Sequence, residues 1–232
     1  DITLPRGKQF WKEKPEAIWY VNTTGIWQTV WIEPVSDIYI ENVRFTPYID
    51  ETEIKVQTFI NGYDYFDNLY LRLQISFEGQ TIVEDTYKVN SYTETRKIRL
   101  HEFNEHHFTR LWSPETPHLY DVILKLVSGD KVLDEVYSYF GMRKVSVENG
   151  KFFLNNRPYY MRLVLDQGYS AEGILTPPTE EAIKKDIELT KKMGFNGVRK
   201  HQKVEDPLYL YWCDKMGLMV WGEMANALDF SE

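Results

Sequence analysis

The chain has 232 residues, 43% of them hydrophobic and 27% charged, enough for a packed core spread over one to three domains. A formal net charge of -8 argues against an electrostatic nucleic-acid binder and against docking on an anionic membrane surface. Cys213 is the only cysteine, so an intrachain disulfide and a cysteine-built zinc site are excluded; no signal peptide or membrane-length apolar run is visible.

Residues 1–35 come first. Segments 17–21 and 27–33 are short, aromatic and β-branched, and Asn22-Thr23-Thr24-Gly25 lies between them, which predicts strand, turn and strand. Two strands do not make an independent domain, so this stretch either joins the next segment or is the tail of a larger sheet. The chain's 7 Trp and 16 Tyr suit β-sheets and sugar-stacking surfaces, although cores use the same side chains.

Residues 36–143 predict seven strands, over 38–45, 53–60, 69–77, 81–89, 96–100, 119–127 and 131–140. Apolar and polar residues alternate clearly in Leu69-Tyr70-Leu71-Arg72-Leu73-Gln74-Ile75. Glu78-Gly79-Gln80 and Ser128-Gly129-Asp130 read as hairpin turns. Short strands at this spacing predict an immunoglobulin-like β-sandwich. The proline-punctuated stretch 112–117 would enter a strand at an edge, where a missing N–H costs least.

The grammar changes over 144–232. Asn149-Gly150 is a hairpin turn between strands at 145–147 and 152–154, and a buried strand is expected over 159–165. After a long loop, Thr179 is a helix N-cap, with Glu180 and Glu181 in the first turn. Ile183, Ile187 and Met193 lie near one helix face, and Gly194 sits where the helix should stop. A strand at 195–199 follows, then a helix begun by Asp206-Pro207 and ended by Gly217, then a strand at 218–221. This is a β-α-β-α-β order, and right-handed crossovers make its three strands parallel neighbours.

Ligands of parallel α/β folds bind beyond the carboxyl ends of the strands. The first strand ends in Asp166 and Gln167, the second in Arg199, Lys200 and His201, and the third in Glu223. Strand order therefore gathers Asp166, Arg199, His201 and Glu223 at one rim. Each also has a structural reading: Arg199 as a strand-end bridge, His201 as a solvated loop residue, Glu223 as a lysine partner, and Asp166 as an Asx turn. Trp221, on the third strand, is either a sugar platform or packing. The stretch His101-Glu102-Phe103-Asn104-Glu105-His106-His107 looks metal-like, but Glu105 stands where a zinc helix needs its second histidine, so a polar loop is expected and no metal site. Cys213, beside Tyr211 and Trp212, reads as packing. A nucleophile elbow, a phosphate-cradling loop and a dinucleotide fingerprint are all missing, and no cofactor is expected.

Several local motifs, in this order, resemble glycoside hydrolase family 2, which includes β-galactosidases, β-glucuronidases and β-mannosidases. PRGKQ at 5–9 and GIWQTVWIE at 25–33 are similar to the end of that family's jelly-roll, sugar-binding-like domain. LWSPETPHLYDV at 111–122 resembles the sandwich signature. FGMRKVSVENGKFFLNNRPYYMR at 140–162, with Gly141 and Arg143, resembles the lead-in to the barrel. MGFNGVRKHQ at 193–202 and YWCDKMGLMVWGE at 211–223 resemble the segments around its second and third strands.

The resemblance implies a mainly β fold with an α/β C-terminal part: a truncated jelly-roll tail over 1–35, an immunoglobulin-like sandwich over 36–143, and the first βαβαβ of a (β/α)8 barrel over 144–232. It implies hydrolysis of β-glycosides with retention and a carbohydrate substrate, and leaves room for a homo-oligomer of the longer enzyme. Arg199 then matches the arginine that supports the nucleophilic carboxylate, and His201 the histidine lining the sugar pocket. Asn196 is structural, and Glu223 is acidic near the pocket. The acid/base and nucleophile glutamates, at the ends of the fourth and seventh barrel strands, fall beyond Glu232, so no catalytic residue is assigned and these 232 residues are expected to be inactive alone. Where the family often carries Ser-His-Tyr-Pro, this chain has Lys200-His201-Gln202-Lys203, so the sugar stays open. The rival reading is a non-catalytic carbohydrate-binding or adhesion sandwich, which would not need the βαβαβ tail.

Overall fold

The computed structural model describes residues 3–65, 67–100, 110–227 and 229. They fall into two compact units, Ile32–Tyr159, and Asp1–Trp31 with Tyr160–Glu232.

The sandwich of the first unit is built, among the described residues, from seven strands, β1 (Tyr39–Tyr48), β2 (Glu53–Asn61), β3 (Tyr70–Phe77), β4 (Gln80–Lys88), β5 (Thr93–Arg99), β6 (Tyr120–Ser128) and β7 (Lys131–Phe140). Their bounds differ from the predicted ones by at most three residues. They form two antiparallel sheets, ordered β1-β2-β5 and β4-β3-β6-β7. The period of two decides which side chains go inside. Ile54, Val56 and Ile60 of β2, Leu71, Leu73 and Ile75 of β3, and Val122, Leu124 and Leu126 of β6 are all buried in one cluster. Each such side chain contributes about 1.5–3 kcal/mol by leaving water. The sandwich core needs no other explanation.

The same unit carries a meander of β8 (Val145–Glu148), β9 (Lys151–Leu154) and β10 (Arg157–Pro158). Asn149 (φ 50°) and Gly150 (φ 72°) make the tight turn, in the left-handed region that these two residue types tolerate best. Asn155 ties this meander down. Its side-chain amide donates to the Trp112 carbonyl (2.9 Å) and accepts from the Lys144 N–H (3.0 Å), and its own N–H donates to the Lys144 carbonyl (2.8 Å).

The second unit contains β11 (Leu163–Asp166), α1 (Glu180–Lys192), β12 (Gly197–Lys200), α2 (Pro207–Met216) and β13 (Met219–Gly222). The strands are parallel in the order β11-β12-β13. Both helix starts are capped as predicted: Thr179 Oγ1 accepts from the Ala182 N–H (3.1 Å), and Asp206 Oδ1 accepts from the Leu208 N–H (2.8 Å). Gly217 ends α2 in the left-handed conformation. Val164, Val198 and Val220 stand opposite one another in register and pack with Ile183 and Ile187 of α1 and Tyr209 and Cys213 of α2. The next row, Leu165, Arg199 and Trp221, faces the other way, and Leu165 (50%) and Trp221 (53%) are exposed. Among the described residues, no helix is long and apolar enough to cross a membrane.

Three local expectations are corrected. Strands at 17–21 and 27–33 do not form; an isolated parallel bridge pairs Gln9 with Tyr20. A strand requires a partner for its row of N–H and C=O groups, and the N-terminal stretch instead makes separate hydrogen bonds in place of a ladder. The Arg6 and Gly7 N–H groups donate to the Asn226 carbonyl (3.1 Å each), and the Phe10 N–H donates to Tyr20 (2.9 Å). β11 starts at Leu163, not at 159, because the Asn196 side chain takes the backbone groups ahead of it: Nδ2 donates to the Tyr160 carbonyl (2.9 Å) and Oδ1 accepts from the Arg162 N–H (2.7 Å). Met193 is 67% exposed at the helix C-cap, outside the apolar face of Ile183 and Ile187.

Candidate active site

Parallel register brings the C-terminal ends of β11, β12 and β13 to one edge, with Asp166, Lys200 and Gly222 level with one another. Glu223 follows β13 immediately, and three groups from β12 and the turn after it converge on its carboxylate. Arg199 Nε donates to Oε1. His201 Nδ1 lies 3.1 Å from Oε2, and the Gln202 N–H donates to the same oxygen at 3.0 Å. Hydrogen bonding from Arg199 is the main reason the Glu223 carboxyl is held below its ordinary value of 4.5, helped by the Gln202 N–H and His201 and opposed by partial desolvation. The result is a fixed, ionised carboxylate at the strand ends. Gln202 adopts φ 56°, a conformation uncommon for its type and a cost accepted where the turn must aim its N–H.

Asp166 does not join this group, contrary to the sequence-based grouping. Successive side chains of a strand point to opposite faces. Arg199 faces the open side of the sheet, so its neighbour Lys200 faces the helices, and so does Asp166 level with it. Lys200 Nζ lies 2.6 Å from Asp166 Oδ2, 2.9 Å from Glu205 Oε2, and 3.8 Å from the centre of the Tyr209 ring. Lys203 Nζ lies 3.0 Å from Glu205 Oε1 and donates to the Gly168 carbonyl at 2.7 Å. Lys200, Lys203 and Glu205 are 3%, 4% and 5% exposed. Burial disfavours the Glu205 anion, but the charges of Lys200 and Lys203 outweigh it and hold this carboxyl below its ordinary value. Asp166 meets the first cluster through its backbone, whose carbonyl accepts from the His201 N–H (2.8 Å).

Trp221 stands level with Arg199 on the open sheet face, with half its surface accessible. On the loop after β11, Tyr169 stacks on Tyr20 with ring centres 3.8 Å apart and planes 5° from parallel. Burial pushes the Tyr169 hydroxyl up to about 12. Among the described residues, no group of three or more His, Cys, Asp or Glu side chains is arranged to hold a metal. The metal-like stretch 101–107 lies outside the described residues.

Sequence reasoning named Lys200, Gln202 and Lys203 without giving them a role, and did not single out Glu205. The signal was available in part: period two predicts that Arg199 and Lys200 part company. The pairing with Glu205 was not readable, because it depends on how the turn folds back.

Two family models match the chain. "Glycosyl hydrolases family 2" covers residues 38–143, and "Glycosyl hydrolases family 2, TIM barrel domain" covers 145–228. A putative β-glucuronidase of Formosa agariphila is 27% identical over 205 residues, which is 86% of this chain and 24% of that protein. A β-galactosidase of Thermoanaerobacter pseudethanolicus is 28% identical over 213 residues, 88% of this chain and 28% of that protein. Among solved structures, β-glucuronidase 3 of Bacteroides uniformis shares the fold with a TM-score of 0.67 at 23% identity, over 82% of this chain and 23% of its own. This chain thus spans about a quarter of the length of the curated relatives it matches. The family 2 sandwich and the beginning of the family 2 barrel follow one another here in the order that their strands and helices predict, and the chain belongs to glycosyl hydrolase family 2.

Proposed function

We propose that the chain is part of a retaining β-glycosidase that hydrolyses O-glycosidic bonds. In this reading 1–35 is the tail of a sugar-binding-like domain, 36–143 the sandwich, and 144–232 the start of the catalytic barrel. One observation carries it: in a family 2 chain, Arg199, His201 and the Gln202 N–H converge on Glu223 beyond the C-terminal ends of successive parallel strands. That edge is where barrel enzymes bind substrate.

The roles follow from the chemistry of the groups. Glu223, kept ionised, accepts a sugar hydroxyl. Arg199 uses guanidinium N–H groups not engaged by Glu223 to support charge on a nucleophilic carboxylate. His201 has its Nδ1 engaged with Glu223 and offers Nε2 to a sugar hydroxyl. Trp221 offers a ring face to the apolar face of the sugar. Asp166 acts from the helix side, through Lys200. Retaining hydrolysis needs two carboxyl groups about 5–5.5 Å apart, one as nucleophile and one as acid/base. The relatives named β-glucuronidase and β-galactosidase support a β-glycoside substrate, with the sugar to be fixed by assay.

The test is a panel of 4-nitrophenyl β-glycosides, run on a longer protein that carries this chain and on the 232 residues alone. The longer protein should release nitrophenol with retention, seen in the anomer formed first, and the 232 residues should release none. A longer protein that cleaves no β-glycoside overturns the reading. So does turnover by these residues alone that disappears in Glu223→Gln or Asp166→Asn.

A further inference from the structure

We propose that Lys200 is the positioning residue of this rim: its buried ammonium pins both ends of the turn that delivers His201 and Gln202 to Glu223. The catalytic consequence rests on the glycosidase reading above; the positioning itself does not.

A lysine is an unexpected residue here. Two positions earlier on the same face, Val198 is buried against the helices, which is what such a site ordinarily holds. A buried ion pair is generally no more stabilising than an apolar pair of the same volume, so packing does not account for Lys200. Its connections do. The ammonium reaches Asp166 at the end of β11 (2.6 Å) and Glu205 just ahead of α2 (2.9 Å), and it lies over the ring of Tyr209 in the first turn of α2 (3.8 Å). Residues 201–204 are thereby closed into a loop between Lys200 and its own partner Glu205. Glu205 also binds Lys203, which holds the Gly168 carbonyl of the loop after β11. Inside that loop, Gln202 takes φ 56° and its N–H meets Glu223 at 3.0 Å. Lys200 projects from the sheet face opposite Arg199, so it cannot touch a ligand lying beside Arg199 and acts only through the turn.

The experiment follows amide hydrogen exchange in the full chain for the wild type, Lys200→Met, Glu205→Gln and the double variant. The double variant removes one charge of each sign and keeps the side-chain volumes, but it takes from buried Lys203 its carboxylate partner, so its melting temperature should fall by several degrees. Its Gln202 amide should exchange about tenfold faster or more, while the Ile187 and Cys213 amides, inside α1 and α2, keep their protection. Wild-type protection of Gln202 in the double variant overturns the proposal. So does loosening of all three amides together, which would mark Lys200 as merely structural. If Lys200→Met does not fold, Glu205→Gln alone decides in the same way. In a longer protein active on nitrophenyl β-glycosides, kcat of the double variant should fall about tenfold, and unchanged kcat overturns the catalytic consequence. A wild type without glycosidase activity instead refutes the functional reading and leaves the exchange result on Lys200 standing.

Discussion

Glu223 has two acceptor oxygens, and both are engaged by donors from β12 and the turn after it. Removing Arg199 takes away the strongest of these. Arg199→Ala should therefore return the Glu223 pKa upward toward 4.5, which a carbon-13 titration of its carboxyl would detect. The sign of the pH dependence follows from the lowered value. The cluster is fully formed above pH 4.5 and is lost as pH falls through the depressed pKa of the folded state. Because Arg199 and Glu223 are both accessible, the effect on overall stability is small. The effect on chemistry is not. In an active longer protein, Arg199→Ala should lower turnover about 100-fold or more, since it removes preorganised charge from the site, and unchanged kinetics would refute its assigned role.

Neighbouring strands impose their own limits. Gly197 of β12 lies between β11 and β13, and a Cβ built there would come within 2.6 Å of Leu163 Cδ2 and 2.8 Å of the Met219 carbonyl oxygen. Gly197→Ala should destabilise the second unit by about 1–3 kcal/mol through overpacking, measured by urea denaturation, because carbonyl oxygens of a sheet cannot move aside as side chains do. In the first unit, Asn155 holds two backbone groups by its side chain alone. Asn155→Ala strands the Lys144 N–H and the Trp112 carbonyl, and should cost about 2–4 kcal/mol. A loss below 1 kcal/mol would show that water replaces the amide (about the value of one exposed hydrogen bond).

Two cores of unequal size coexist in the chain. The sandwich buries a large cluster of aliphatic and aromatic side chains between two sheets. The parallel sheet buries one face only, around Ile183, Ile187, Val198, Tyr209, Cys213 and Leu218, while Leu165 and Trp221 on the other face stay accessible. Apolar burial sets how much of a structure survives partial opening. Amides of Leu73 and Leu124 should accordingly exchange about tenfold slower or more than that of Val198. Equal protection would mean that the two units unfold as one.

Patterns that are local in the chain were legible without coordinates. The alternation in β3 and β6, the Asn149-Gly150 turn, and the caps at Thr179, Asp206 and Gly217 all act over a few residues, so their physical cause lies within the sequence window that displays them. Arg199, His201 and Glu223 were legible as a group because parallel strands must end at the same edge. Other features depend on what lies across the fold. Asn196 replaces the first part of a strand with its side chain, and the described part of 17–33 pairs in the manner of a strand at an isolated bridge, Tyr20 with Gln9, instead of along a ladder. Asp166 turns to Lys200 because the pleat places both on the helix side. The turn from Lys200 to Glu205 closes on a charge whose burial exists only once α2 has packed against the sheet. A sequence names the charges available to such a network, but burial decides which of them must pair, and burial belongs to the assembled fold.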